Sequence, residues 1–304
     1  AAHIQGIISG ELSLDQRTEE TGYLRLTPSS GNIHDLTINH ANCVATLGYD
    51  ASITGDLIIT AGQLSTGSNK ALTVTGDVTI AAAGGLVCNS SVVSVDSITI
   101  SANGTLDAPD DTGSAMLTLN GTLSAWSFQN NSANFNHNDG TITQTNAGHI
   151  KSLNSNPFYN FIMNSSSSDS HEAVFRPASG TDCIIAANDV TVTRGILKLN
   201  TVTDTASMGS LTIASTGTYQ ASSGTTTLTG ESGAGYAIFN TAGGTFTHNS
   251  GTVNITYSGG NTLIFGMEGD DVSGTGSNAF NDLTVTLGSS SNRLELDPAA
   301  GSAH

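Results

Sequence analysis

The residues able to do chemistry gather in two acidic loops. Asp107, Asp110 and Asp111 form one, and Glu268, Asp270 and Asp271 the other, each among Gly and Ser. Calcium takes about six to eight oxygen ligands, often from such loops, so these six carboxylates are the calcium candidates. Neither loop has EF-hand spacing or the glycine-rich nonapeptide of a calcium β-roll. Two carboxylates flanking a glycosidic bond would make a glycosidase, but solvated acidic loops are the commoner outcome of such a pattern. His137 and His248 form a further pair, each followed by Asn and, two residues on, by Gly. No second His or carboxylate stands at metal-ligand spacing, so a corner role is expected for both, with Asn accepting left-handed geometry. The chain has no GxSxG, HExxH or phosphate-loop motif, and Gly233-Ala234-Gly235 opens no helical pattern. No catalytic residue and no cofactor beyond a candidate calcium ion is assigned, and the expectation is a protein that is not an enzyme.

The three cysteines, Cys43, Cys88 and Cys183, are odd in number and form no CxxC, so neither a disulfide framework nor a zinc site is indicated. Cys88 follows Leu86-Val87 and Cys183 precedes Ile184-Ile185, which suits small buried residues in apolar columns. Trp126 and Phe128 are expected to fill such a column too.

These residues hang on a short repeat. Asp35-Leu36-Thr37-Ile38 returns as Asp56-Leu57-Ile58-Ile59, Asp77-Val78-Thr79-Ile80 and Ser97-Ile98-Thr99-Ile100, in steps of 21, 21 and 20 residues. The phrase resumes at Asp189-Val190-Thr191-Val192 and Ser210-Leu211-Thr212-Ile213. A period this short is no domain. It suits one coil of a solenoid, which can bury its apolar side only against its neighbours. The alternation of apolar residues with Thr is that of a half-buried strand. It predicts an inward column of Leu36, Leu57, Val78 and Ile98 and a second of Ile38, Ile59, Ile80 and Ile100. Glycines at a fixed offset (Gly62, Gly84, Gly104, Gly195, Gly217) predict corners, each followed two residues on by an apolar contact. Leu72-Thr73-Val74, Val93-Ser94-Val95 and Leu117-Thr118-Leu119 predict a further strand per coil. The expected fold is all-β, a parallel β-helix with about 21 residues per coil. The alternative is a string of tandem β-sandwich domains.

A longer repeat lies over the short one. Phe135-Asn136-His137-Asn138-Asp139-Gly140 reappears 111 residues later as Phe246-Thr247-His248-Asn249-Ser250-Gly251. Asn156-Pro157-Phe158 through Met163 reappears, offset by 122, as Asn278-Ala279-Phe280 through Val285. The organisation read from this is a partial coil or cap over 1–32, one solenoid unit over 33–157, a second over 158–279, and the start of a third over 280–304. The chain starts Ala1-Ala2 without Met and the third unit stops at His304, so a longer protein or a covering subunit is expected.

Composition narrows the partners. Eight Lys plus Arg stand against 25 Asp plus Glu, a net charge of −17, which leaves no basic stripe for a nucleic acid or an anionic membrane. No apolar run approaches the ~20 residues of a membrane span.

At Phe-x-His-Asn-x-Gly-Thr, followed by Asn-x-Phe-x-Asn/Asp-Phe/Leu, the chain resembles repeats of long β-rich surface proteins, namely marine phage fibre-like proteins and large bacterial adhesins. The likeness covers about residues 33–285. It implies a structural or adhesive fibre or spike element, virion-associated as a phage fibre or a capsid or tail appendage. A secreted bacterial adhesin or extracellular filament subunit is the second expectation, and a polysaccharide-degrading β-helix enzyme the third. The implied location is the virion surface, or the extracellular or cell surface. The implied partners are other copies of the chain or other structural subunits, and a cell-surface glycan.

Overall fold

The computed structural model describes residues 2–6, 11–14, 22–28, 33–67, 69–121, 126–177, 180, 182–230, 237–241, 243–258, 262–266, 278–288 and 292–297. Among them the chain is all-β, without a helix. It is a parallel β-solenoid of about eight turns, about 22 residues apart. Two compact units divide it, Ala1–Thr143 and Gln144–His304.

In the first unit, the alternating pattern builds three strand faces around one core. Leu36 lies beside Leu57, Leu57 beside Val78, and Val78 beside Ile98, in one parallel register. Ile38, Ile59, Ile80 and Ile100 form the neighbouring column, and all eight side chains are buried. Leu57 and Val78 are ladder partners within one sheet, so the sandwich alternative falls. After the glycine corners, Ala45, Leu64, Leu86, Leu106 and Phe135 stack as a second face. Ile53, Val74, Val95 and Leu119 belong to the third. Each full burial of a Leu, Val or Ile contributes about 1.5–3 kcal/mol, which makes these columns the main source of stability.

The recurrence of Asp before each first-face strand has a cause that alternation alone does not supply. Asp35 Oδ1 accepts the backbone N–H of Asp56 at 2.8 Å, and Asp56 Oδ1 accepts that of Asp77 at 2.9 Å. Asp77 Oδ1 accepts the Ser97 hydroxyl at 2.6 Å. Each carboxylate thus ties its own coil to the next. A Cβ at Gly55 would lie 2.0 Å from Asp35 Oδ1, and one at Gly76 2.3 Å from Asp56 Oδ1, so the residue before the Asp is Gly. The bond from Asp56, and then the one to His34, holds the Asp35 carboxyl below its ordinary value.

The second unit repeats this plan with larger side chains. Phe161, Val190, Leu211 and Phe239 stack on its first face, and Leu197, Tyr219 and Phe246 on its second. Phe239 and Phe246 meet edge to face at 5.3 Å, as do Phe161 and Phe175 at 5.0 Å. Cys43, Cys88 and Cys183 are free and buried. Burial pushes the Cys88 thiol up, and that of Cys183 up to about 12. Phe128 fills a column as expected, but Trp126 is only half-buried. It opens its strand one residue before Ser127, two before the inward-facing Phe128.

Candidate functional site

The site is built by three coils of the first unit at the corner that follows their second strand face. The register sets Val87 beside Asp107 and Asp107 beside Asn136. These side chains alternate with the buried Leu86, Leu106 and Phe135, so they point away from the core. The chain beyond them turns through left-handed residues, Asn89 at φ 48° in one coil and Asn138 and Asp139 at 49° and 55° in another. Asn and Asp tolerate this conformation better than other side-chain-bearing residues. The result is an open cleft of about 490 Å³ lined by Val87, Asn89, Asp107, Asp110, Asn136, Asn138 and Asp139.

Local bonds fix each wall. Asp110 Oδ2 accepts the Ser90 hydroxyl at 2.8 Å, and its Oδ1 accepts the Thr112 N–H at 3.0 Å. The Ser90 bond is the main reason the Asp110 carboxyl stays below its ordinary value. Asn138 donates its Nδ2 to the Ala108 carbonyl at 2.7 Å, and the Asn138 N–H donates to Asn136 Oδ1 at 3.2 Å. Asn89 donates its amide to Ser65 Oγ at 3.1 Å. His137 Nδ1 accepts the Asp139 N–H at 3.0 Å, and the Asp139 carboxylate lies 3.4 Å from the same nitrogen. Gly140 closes the corner, because a Cβ there would sit 1.9 Å from the Pro109 carbonyl oxygen.

Three carboxylates and three amides thus face one recess. It offers hydrogen-bond acceptors, amide donors and negative charge. Among the described residues, no three His, Cys, Asp or Glu side chains come together in a way that would hold a metal ion. Asp107 and Asp110 of the expected acidic loop enter the cleft, while Asp111 is exposed and does not line it. Glu268, Asp270 and Asp271 lie outside the described residues. Asn89, Asn136, Asn138 and Asp139 complete the wall, and reasoning from carboxylate runs missed them. Their signal was the Asn-rich corner motif itself, read only as turn chemistry.

The His248 corner repeats the His137 one. Asn249 and Ser250 take φ of 46° and 64°, and Asn249 Nδ2 donates to the Ala221 carbonyl at 2.7 Å. His248 Nδ1 accepts the Ser250 N–H at 2.9 Å. Both histidines therefore serve as turn acceptors. Compared with known protein families, curated proteins and solved structures, the chain has no significant match. No helix among the described residues is long and apolar enough to cross a membrane.

Proposed function

We propose that the chain is a structural and adhesive element, a segment of a fibre or spike on a virion surface, which engages a cell-surface glycan through the cleft of its first unit. The observation that carries this reading is the unbroken stacking from Leu36 to Ile98, in which each coil contacts its neighbours through buried columns and an aspartate tie. Such a scaffold resists bending and extends by adding coils without new chemistry. On a rigid scaffold, loops are where binding residues gather, and the cleft lies at loops. Its amides and carboxylates match the donors and acceptors of sugar hydroxyls.

The test is binding of the purified chain to an array of neutral and acidic glycans, with reducing ends assayed in parallel. Retention of a glycan that weakens in Asp107→Asn with Asp110→Asn, without new reducing ends, supports the reading. Cleavage abolished by either substitution in a folded protein overturns it in favour of a polysaccharide-degrading enzyme. Antibody against the chain that labels virions supports the phage assignment, and labelling of bacterial cell surfaces alone moves it to a bacterial adhesin.

A further inference from the structure

One face of the second unit stands as a five-stranded sheet of its own. The strands Asp182–Ile184, Thr205–Met208, Thr225–Leu228, Thr252–Tyr257 and Asp282–Leu287 pair in parallel, in that order, without a register shift in any step. Where the long strands carry such shifts, these fall at the corners between faces. An uninterrupted ladder places equivalent side chains in straight columns about 4.8 Å apart, with neighbours along a strand about 6.6 Å apart.

The outward positions of this ladder are filled mainly by one residue type. Thr225 lies beside Thr252, and Thr256 beside Thr286, while Thr227 and Thr284 flank Asn254 in the column between. On the neighbouring strand, the Thr205 hydroxyl donates to Asp182 Oδ1 at 2.6 Å. Thr is β-branched and stiff at χ1, so each hydroxyl and methyl holds its place. The outward positions include no aromatic residue and no Lys or Arg. The carboxylates there, Asp182 and Asp282, stand in the outermost column. In a chain of net charge −17, the two columns through Thr227 and Thr256 carry no charge.

We infer that this face adsorbs to an ordered lattice of water, that is, to ice. A soluble ligand would need a concave site, and an uninterrupted sheet face is not one. A flat polysaccharide surface is gripped by stacking on aromatic rings, which are absent here, whereas a single glycan in a cleft is held by hydrogen bonds. A charged partner would find carboxylates only in the outermost column, at Asp182 and Asp282. What remains is a two-dimensional array of fixed hydroxyls and methyls. Each hydroxyl anchors a water and each methyl orders the water around it, with a periodicity set by the ladder. The inference is independent of the glycan reading, because it uses a different unit and a different face.

The experiment uses the full chain. Partition into a slowly growing ice front and inhibition of ice recrystallisation are measured for the wild type, for Thr227→Lys with Thr284→Lys, and for Thr79→Lys on the first unit. The expected result is enrichment in ice and arrested grain growth for the wild type and for Thr79→Lys, and loss of both in the double variant. Circular dichroism and melting temperature establish that the double variant is folded. If it is not, Thr227→Ser with Thr284→Ser, which keeps the hydroxyl and removes the methyl, takes its place with weakened inhibition expected. Exclusion of the wild type from ice overturns the inference. So does retention of full inhibition by the folded double variant. Binding to insoluble cellulose or chitin that is lost in the double variant, with no effect on ice, overturns it in favour of a solid polysaccharide.

Discussion

At the His137 corner a carboxylate stands at each of three positions where the His248 corner carries a neutral side chain. The carbonyls of Ala108 and Ala221 accept the same Asn amide, and those of Pro109 and Ser222 lie against the same closing Gly. This alignment sets Asp107 against Gln220, Asp110 against Ser223 and Asp139 against Ser250. The ladder adds Val87 against Lys198. Lys198 is itself paired with Glu172 at 2.7 Å. The backbone of the corner is therefore made by Asn, His and Gly together, and the acids are not needed to form it. The first unit thus carries an acidic wall on this turn, whereas the second unit has the same turn without it.

The largest effect would break what both corners stand on. Val78 is fully buried in the first column of the first unit. Val78→Asp puts an unpaired charge there and should cost more than about 4 kcal/mol, enough to unfold that unit. Thermal melting with separate local probes on the two units checks it. A melting temperature close to that of the wild type would remove the columns as the source of stability.

Next come the closing glycines. A Cβ would lie 1.9 Å from a carbonyl oxygen at Gly140 and 2.2 Å at Gly251, so backbone must shift in either case. Gly140→Ala and Gly251→Ala should each cost about 1–3 kcal/mol. Denaturant titration that finds one costly and the other neutral would break the equivalence of the corners.

A smaller and matched pair sharpens it. Asn138→Ala and Asn249→Ala each remove one 2.7 Å bond and place Ala at positive φ. Each should lose about 1–2 kcal/mol, and Asn→Gly at either site should lose less, because Gly keeps the backbone conformation. Unequal losses within a pair would mean that the acidic wall contributes to the turn after all.

The solenoid was legible because its columns are written in the spacing of Leu36, Leu57, Val78 and Ile98, and a period-2 pattern at constant interval admits few other folds. The role of Asp35 and Asp56 was not legible. It depends on a bond to the next coil's N–H, and a carboxylate reads alike whether it ties a backbone or faces water. The cleft was half legible. Asp107 and Asp110 stood out as acids, but Asn89 and Asp139 join them only through the stacking of coils separated by loops of unequal length. Trp126 misled because strand alternation would give it the face of Phe128, but Ser127 and Phe128 are both buried and the alternation breaks at the start of their strand.

The smallest expected effect isolates charge alone. Asp110 is held below the ordinary carboxylate value chiefly by the Ser90 hydroxyl. A carboxylate with a depressed folded value contributes stability that is present above the ordinary value, near ~3.9, and is lost as pH falls through the folded one. Its exposure keeps the effect small, since solvent screens it. The readout is the protection of the Thr112 amide, which donates to Asp110 Oδ1 at 3.0 Å. In the wild type, protection relative to the unstructured chain should fall as pH drops below about 4. Asp110→Asn should lose this acid step while the cleft backbone stays closed. Ser223, at the matching place in the second unit, carries no titrating group and should give no step in either protein. An acid step that survives in Asp110→Asn would remove it from Asp110, and a step of equal size around Ser223 would erase the electrostatic difference between the two corners.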